Sequence, residues 1–153
     1  MKEGSDMSFK EGPYVQAACL CEGVLEDKTG CLTLIRIIDT LTHTQASPNP
    51  PEQLPPFPTR FKLVIMLKSG MAQGRWTLKI VPSLPTGEVE NAIVTTAHLD
   101  GEERGHNQII DVDFVFRYEG LHWFKVYLDD ELLTAVPVRI KYNRIIINQP
   151  AMA

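Results

Sequence analysis

Three cysteines and four histidines are the side chains of this chain best suited to nucleophilic or metal chemistry: Cys19, Cys21 and Cys31, and His43, His98, His106 and His122. Cys19 and Cys21 are two residues apart, which on a strand puts them on one face. Zinc usually takes four ligands, with C-x(2–4)-C spacing and a second ligand pair elsewhere. No such pair accompanies these cysteines. An odd cysteine count without an export signal also argues against a disulfide framework. The cysteines therefore read as small hydrophobes buried in a strand.

The histidines show neither H-x-H nor H-E-x-x-H spacing, and the nucleophile elbow G-x-S-x-G, phosphate loops and dinucleotide-binding glycines are absent from the sequence. His122 falls on the inner face of its strand, where a polar ring needs a partner, so it reads as a hydrogen-bonded core histidine. The expectation is a chain with no catalytic residues, no cofactor and no metal ligands. Acidic residues gather at Asp100-Gly101-Glu102-Glu103 and Asp129-Asp130-Glu131, both in turns. A calcium site would need about six oxygens to converge from such loops. Ligand or calcium binding at these end loops is the alternative reading of function.

The elements that must position these residues are short. The 153 residues are 44% hydrophobic and 22% charged, enough for one domain with a sizeable core. Eleven prolines and ten glycines break up long helices. A net charge of −4 disfavours nucleic-acid binding, which draws on a basic surface. No apolar run of about 18 residues is present to span a membrane as a helix. No apolar stretch follows Met1-Lys2-Glu3, so a cytoplasmic address is expected.

From Tyr14 onward, β-branched and aromatic runs alternate with turns, the pattern of an all-β sandwich. Tyr14 to Cys21 is the first run. Cys31 to Thr42 is apolar on both faces, which suits a central strand or one that crosses between sheets. Residues 46–58 hold six of the eleven prolines and form an extended loop. Pro48-x-x-Pro51 and Pro55-x-x-Pro58 have the spacing of polyproline ligands, but a stiff inter-strand crossover is the favoured reading.

Phe61, Leu63, Ile65 and Leu67 share one face of the next run, and Trp76, Leu78 and Ile80 one face of the run after it. Pairing Lys68 with Arg75 makes these two runs a hairpin with one apolar face. Its other face then carries Arg60, Lys62, Lys68, Arg75 and Lys79, a basic ribbon suited to an acidic partner.

Asn91 to Leu99 is a weaker strand. Gln108 to Arg117 presents Ile110, Val112, Phe114 and Phe116. A loop at Tyr118-Glu119-Gly120 would fold it onto His122, Phe124, Val126 and Leu128, with Asp113 opposite Lys125. Trp123 then faces outward between Val115 and Pro137 as a candidate interface anchor. A three-residue turn at Asp129-Asp130-Glu131 sends Leu132, Val136, Val138 and Ile140 inward and keeps Arg139 and Lys141 out of the core. Pro137, lacking a donor, marks an edge or a bulge. Ile145-Ile146-Ile147 is too apolar for water and would add a strand or dock on a neighbour.

Two stretches carry a resemblance. Ala18-Cys19-Leu20-Cys21-Glu22 with Leu32-Thr33-Leu34-Ile35-Arg36-Ile37-Ile38-Asp39 resembles the opening of a bacterial family of unknown function. Gly120-Leu121-His122-Trp123-Phe124-Lys125-Val126-Tyr127-Leu128-Asp129-Asp130-Glu131-Leu132-Leu133, with Val136-Pro137-Val138, resembles the end of the same family and the last hairpin of many immunoglobulin-like sandwiches. The resemblance implies a small bacterial β-sandwich with no assigned reaction.

The expected architecture is an antiparallel, immunoglobulin-like β-sandwich of about seven to nine strands. It occupies residues 13–143, between a flexible N-terminal tail at 1–12 and a C-terminal tail at 144–153. The expected function is a non-enzymatic protein-binding or assembly module. Its partner would be another protein or a second copy, not nucleic acid or membrane. The candidate interface is Arg60, Lys62, Lys68, Arg75, Lys79 and Trp123.

Overall fold

The computed structural model describes residues 11–148. Within them the chain forms nine strands: β1 (Tyr14–Glu26), β2 (Leu32–Ile38), β3 (Thr40–Ser47), β4 (Phe57–Lys68), β5 (Gln73–Ser83), β6 (Ile93–Asp100), β7 (Gly105–Phe116), β8 (Gly120–Leu128) and β9 (Glu131–Ile146). Two sheets pack face to face, ordered β2-β1-β4-β7 and β3-β9-β8-β5-β6. Every pairing is antiparallel except β3 with β9, which run parallel. This early strand laid beside the last one, with connections that cross between the sheets, makes the fold an immunoglobulin-like β-sandwich.

Period-two patterning sets which side chains are interior. Phe61 is 2% exposed, and Leu63, Ile65 and Leu67 are fully buried. Leu78, Ile80, Val112, Phe116, Phe124, Val126 and Val138 meet them in one core. Phe124 reaches across from the second sheet, with its ring centroid 5.6 Å from those of both Phe61 and Phe114 in edge-on contacts. Burial of this area drives the two layers together.

The pairing of consecutive strands differs from the sequence expectation. β4 and β5 are not a hairpin: β4 pairs with β1 and β7, and β5 with β6 and β8. The loop between them carries the chain from one sheet to the other. Ser69 anchors it, its buried hydroxyl donating to the carbonyls of Gly101 (3.0 Å) and Arg104 (2.8 Å). Likewise β7 and β8 lie in opposite sheets, so Phe114 and Phe124 meet across the core rather than along a ladder. Asp113 pairs with Arg60 at 2.7 Å instead of with Lys125. Alternation fixes a strand's face, but backbone donors and acceptors are the same on every strand and do not name the neighbour.

The run expected over Cys31 to Thr42 is two strands that meet at Asp39 and belong to different sheets. β2 is the edge of its sheet rather than a central strand. Residues Ala46-Ser47 and Phe57-Pro58, expected in the proline-rich loop, are the ends of β3 and β4. The loop between them closes one end of the sandwich. The Tyr142 hydroxyl donates to the Pro51 carbonyl at 2.8 Å and Arg144 to Pro50 at 3.0 Å. Arg144 to Ile146, expected in a tail, complete β9. The rest of the tails expected at 1–12 and 144–153 falls largely outside the described residues.

The β8–β9 turn also differs. Leu128 pairs with Glu131, so the turn has two residues, Asp129 and Asp130, with φ of 45° and 67°. This is the mirror-image turn that suits strand twist. A shift in register then takes Val126 to Thr134 but Tyr127 to Leu132, leaving Leu133 as the extra residue of a bulge. The bulge restores the inward face for Val136, Val138 and Ile140 and leaves Leu132 exposed. β3 begins opposite Arg139, so β9 has a free side at Pro137. Asp129 is held in its turn by accepting from the Thr77 amide at 2.7 Å. Asp130 has the left-handed conformation and only a 3.5 Å contact to Lys79. Asp130→Gly should raise stability by about 0.5 kcal/mol in urea unfolding. A lower midpoint would show that the Lys79 contact outweighs backbone relief.

Candidate functional site

β1 pairs with β4 only as far as Cys21 opposite Lys62. It goes on pairing with β2 to Glu26 opposite Leu32. β4 meanwhile runs back to Phe57 with β7 alone beside it. From Glu22 onward, β1 and β2 are thus a two-stranded ribbon with no third strand. Such a ribbon is marginal unless something covers a face.

Its tip is held by Asp27. That carboxylate accepts from the Thr29 hydroxyl (2.6 Å), the Thr29 amide (2.8 Å) and the Cys31 amide (3.0 Å). These bonds, the Thr29 hydroxyl first, hold the Asp27 carboxyl below its ordinary pKa. Gly30 supplies a φ of 87°, which closes the turn. At the base, Arg36 has a φ of 53° and pairs with Glu22 at 2.8 Å. An open cleft of about 340 Å³, lined by Glu22, Arg36, Ile37, Asp39 and Leu41, separates the ribbon from β3.

The outward row of the ribbon is aliphatic. Leu25 is 60% exposed, Ile35 41% and Ile37 64%. The row continues onto Cys21, which is buried, and Cys19, which is partly buried. Burial is the main cause raising both thiols, so the protonated form is favoured and neither is a ready nucleophile. Cys21 faces away from the core beside Lys62, whereas His122 faces into it from the other sheet. The two are on different sides of a layer. Cys31 is exposed at the ribbon tip, its sulfur 3.4 Å from the Thr29 hydroxyl oxygen.

The basic ribbon expected from the sequence does not exist as one surface. Arg60, Lys62 and Lys68 are on β4, and Arg75 and Lys79 on β5 in the opposite sheet. Arg60 pairs with Asp113, and Lys62 with Asp111. Lys79 lies 5.5 Å from the centre of the Tyr127 ring and 3.5 Å from Asp130. Trp123 is outward and 36% exposed, between Ser83 and Pro137 rather than beside Val115. The missed surface is Leu25, Ile35 and Ile37. Its one sequence signal was a run apolar on both faces, which equally describes a buried strand.

The two acidic segments share one end of the sandwich, but their carboxylates have separate partners. Glu103 accepts from the Tyr14 hydroxyl at 2.6 Å, and Asp100 is 3.4 Å from His98. Glu102 is 3.8 Å from Arg104, and Asp129 is bonded to Thr77. Among the described residues no group of three or more His, Cys, Asp and Glu side chains is gathered as a metal would require. No helix among them is long and apolar enough to cross a membrane.

Residues 16–141 match the model of the Family of unknown function (DUF6941). No curated protein matches the chain. Among solved structures, an immunoglobulin-like protein from Pseudomonas aeruginosa is similar at 14% identity and a TM-score of 0.44, covering 87% of this chain and 99% of that one. The alkylpurine DNA glycosylase AlkC of Pseudomonas fluorescens, bound to DNA containing an abasic site analog, is similar at 15% identity and a TM-score of 0.38. That match covers 64% of this chain and 27% of the glycosylase.

Proposed function

We propose, for a chain that belongs to the Family of unknown function (DUF6941), a non-enzymatic role as a protein-binding or assembly module. The observation that carries this reading is the β1–β2 ribbon with Leu25, Ile35 and Ile37 exposed along one row. Three large aliphatics on an unsupported ribbon cost free energy in water unless a partner covers them. A protein partner can satisfy both the side chains and the free backbone edge of β2. Trp123, flanked by Pro137 on the far sheet, is a second and smaller anchor.

Photocrosslinking from the native host tests the reading. A benzoylphenylalanine at position 37 is expected to give a discrete protein adduct that Ile35→Asp abolishes. Absence of any adduct from position 37 and from position 123 would overturn it.

A further inference from the structure

We propose that the outward face of β1 and β4 holds a site for a soft monovalent metal ion, cuprous copper, built from the thiols of Cys19 and Cys21 and the thioether of Met66. Ala18 and Leu20 pack into the core, so Cys19 and Cys21, on the other side of β1, face outward together. On β4, Ile65 and Leu67 are fully buried in the core, and Met66 between them points outward as well. The ladder sets Cys21 opposite Lys62, Cys19 opposite Val64 and Ala17 opposite Met66. Met66 is therefore the diagonal neighbour of Cys19, within reach of a long side chain, and the small Ala17 leaves it room to lean that way. Three sulfurs from two adjacent strands share one patch.

The expectation of no metal ligands rested on zinc, which takes four. Thiolate and thioether sulfurs select cuprous copper instead, and that ion is satisfied by two or three of them. Met66 supplies the third ligand that, among the described residues, the His, Cys, Asp and Glu side chains do not. A metal–thiolate bond is about 2.3 Å, so one ion spans sulfurs about 4.6 Å apart. Residues two apart on a strand have α-carbons about 6.8 Å apart, a gap that the χ1 rotations of two cysteines close. The surroundings are aliphatic: Val64 opposite Cys19, Ile37 opposite Cys21, and Ile109 beyond Val64. Cys21 and Val64 are fully buried, whereas Cys19 is partly exposed and gives the ion its way in. A dry aliphatic surround disfavours hard, hydrated cations.

Binding exchanges the two S–H protons for the ion; the protons leave to solvent and no electron moves. Two thiolates and one monovalent cation leave a single net negative charge, which the Lys62 ammonium opposite Cys21 meets. Burial raises the Cys21 thiol, and a backbone hydrogen bond from Gly23 and the charge of Lys62 oppose that rise. The same two groups favour a metal thiolate. Burial also raises Cys19, and Cys21 adds to it, as thiols near enough to repel when ionised do.

Cu(I) alone, supplied anaerobically to the reduced full chain in competition with bathocuproine disulfonate, tests the site. One ion per chain is expected, with only sulfur in its first shell by X-ray absorption. Cys31→Ser, at the ribbon tip, should change nothing. Cys19→Ala and Cys21→Val should each weaken binding at least about 100-fold. Urea midpoints check that each variant is folded, and the partly exposed Cys19 keeps the test open if Cys21→Val is not. Met66→Leu, close in volume, should leave two sulfurs in the shell and weaken binding about tenfold. Failure of the parent chain to take copper from the chelator overturns the inference. So does copper held equally by Cys19→Ala, lost with Cys31→Ser, or bound through nitrogen or oxygen. An unchanged shell in Met66→Leu overturns it too, by drawing the third sulfur from elsewhere.

Discussion

Phe124→Ala should cost about 3–5 kcal/mol in urea unfolding, against a total of roughly 5–15 kcal/mol for a domain of this size. Phe124 is fully buried and touches Phe61 and Phe114 edge-on at 5.6 Å each. Both partners belong to the other sheet, so truncation opens a cavity at the junction of the layers, which a sandwich cannot collapse without moving a sheet. The adjacent Trp123→Ala removes an outward, part-exposed side chain and should cost under about 1 kcal/mol. A double-mutant cycle between Phe61 and Phe124 should give a coupling of about 0.5–1.5 kcal/mol. Equal losses at 123 and 124, or no coupling between 61 and 124, would contradict the two-layer core.

His122 should make the fold sensitive to mild acid. Its ring is 1% exposed and packs edge-on against Phe116 at 4.9 Å. Nδ1 lies 3.3 Å from the Gly120 carbonyl, and Nε2 is buried without a partner. Desolvation lowers its pKa, with the Gly120 carbonyl opposing more weakly.

Above a pH of about 6.5 the imidazole is neutral in both folded and unfolded chains and adds no pH dependence. As pH falls below that value, the unfolded chain takes up a proton and the folded one does not. Stability therefore drops by about 1.4 kcal/mol per pH unit until the lowered folded pKa is reached. His122→Leu, close in volume, should remove that slope and stay within about 1.5 kcal/mol of the parent at neutral pH. Urea midpoints from neutral pH to about pH 5 make the comparison. Parallel slopes in the two proteins would sink the assignment to His122.

The interior was legible because it is a local property. Alternation alone points Phe61, Leu63, Ile65 and Leu67, and likewise His122, Phe124, Val126 and Leu128, inward, and all eight are buried. The turn after Leu128 differs from the three-residue expectation: Val136, Val138 and Ile140 face inward as expected, but Leu132 is exposed. A bulge at Leu133 carries no glycine or proline to announce it, and it rescued the inward face that a two-residue turn would otherwise have lost. The basic residues depart from the sequence expectation for a different reason. Arg60 and Arg75 join one ribbon only if β4 and β5 pair, and the chain instead crosses between layers at Ser69.

The amino-acid sequence by itself determined the class of fold and which side of each strand is apolar, because side chains alternate every second residue and water sorts them. Only the tertiary structure decided which strand lies beside which, and that Leu25, Ile35 and Ile37 stand on an unsupported edge. Main-chain hydrogen bonds are chemically alike on every strand, so neighbours are chosen by how distant segments close around a shared interior. An aliphatic run looks the same in sequence whether that closure covers it or leaves it outside.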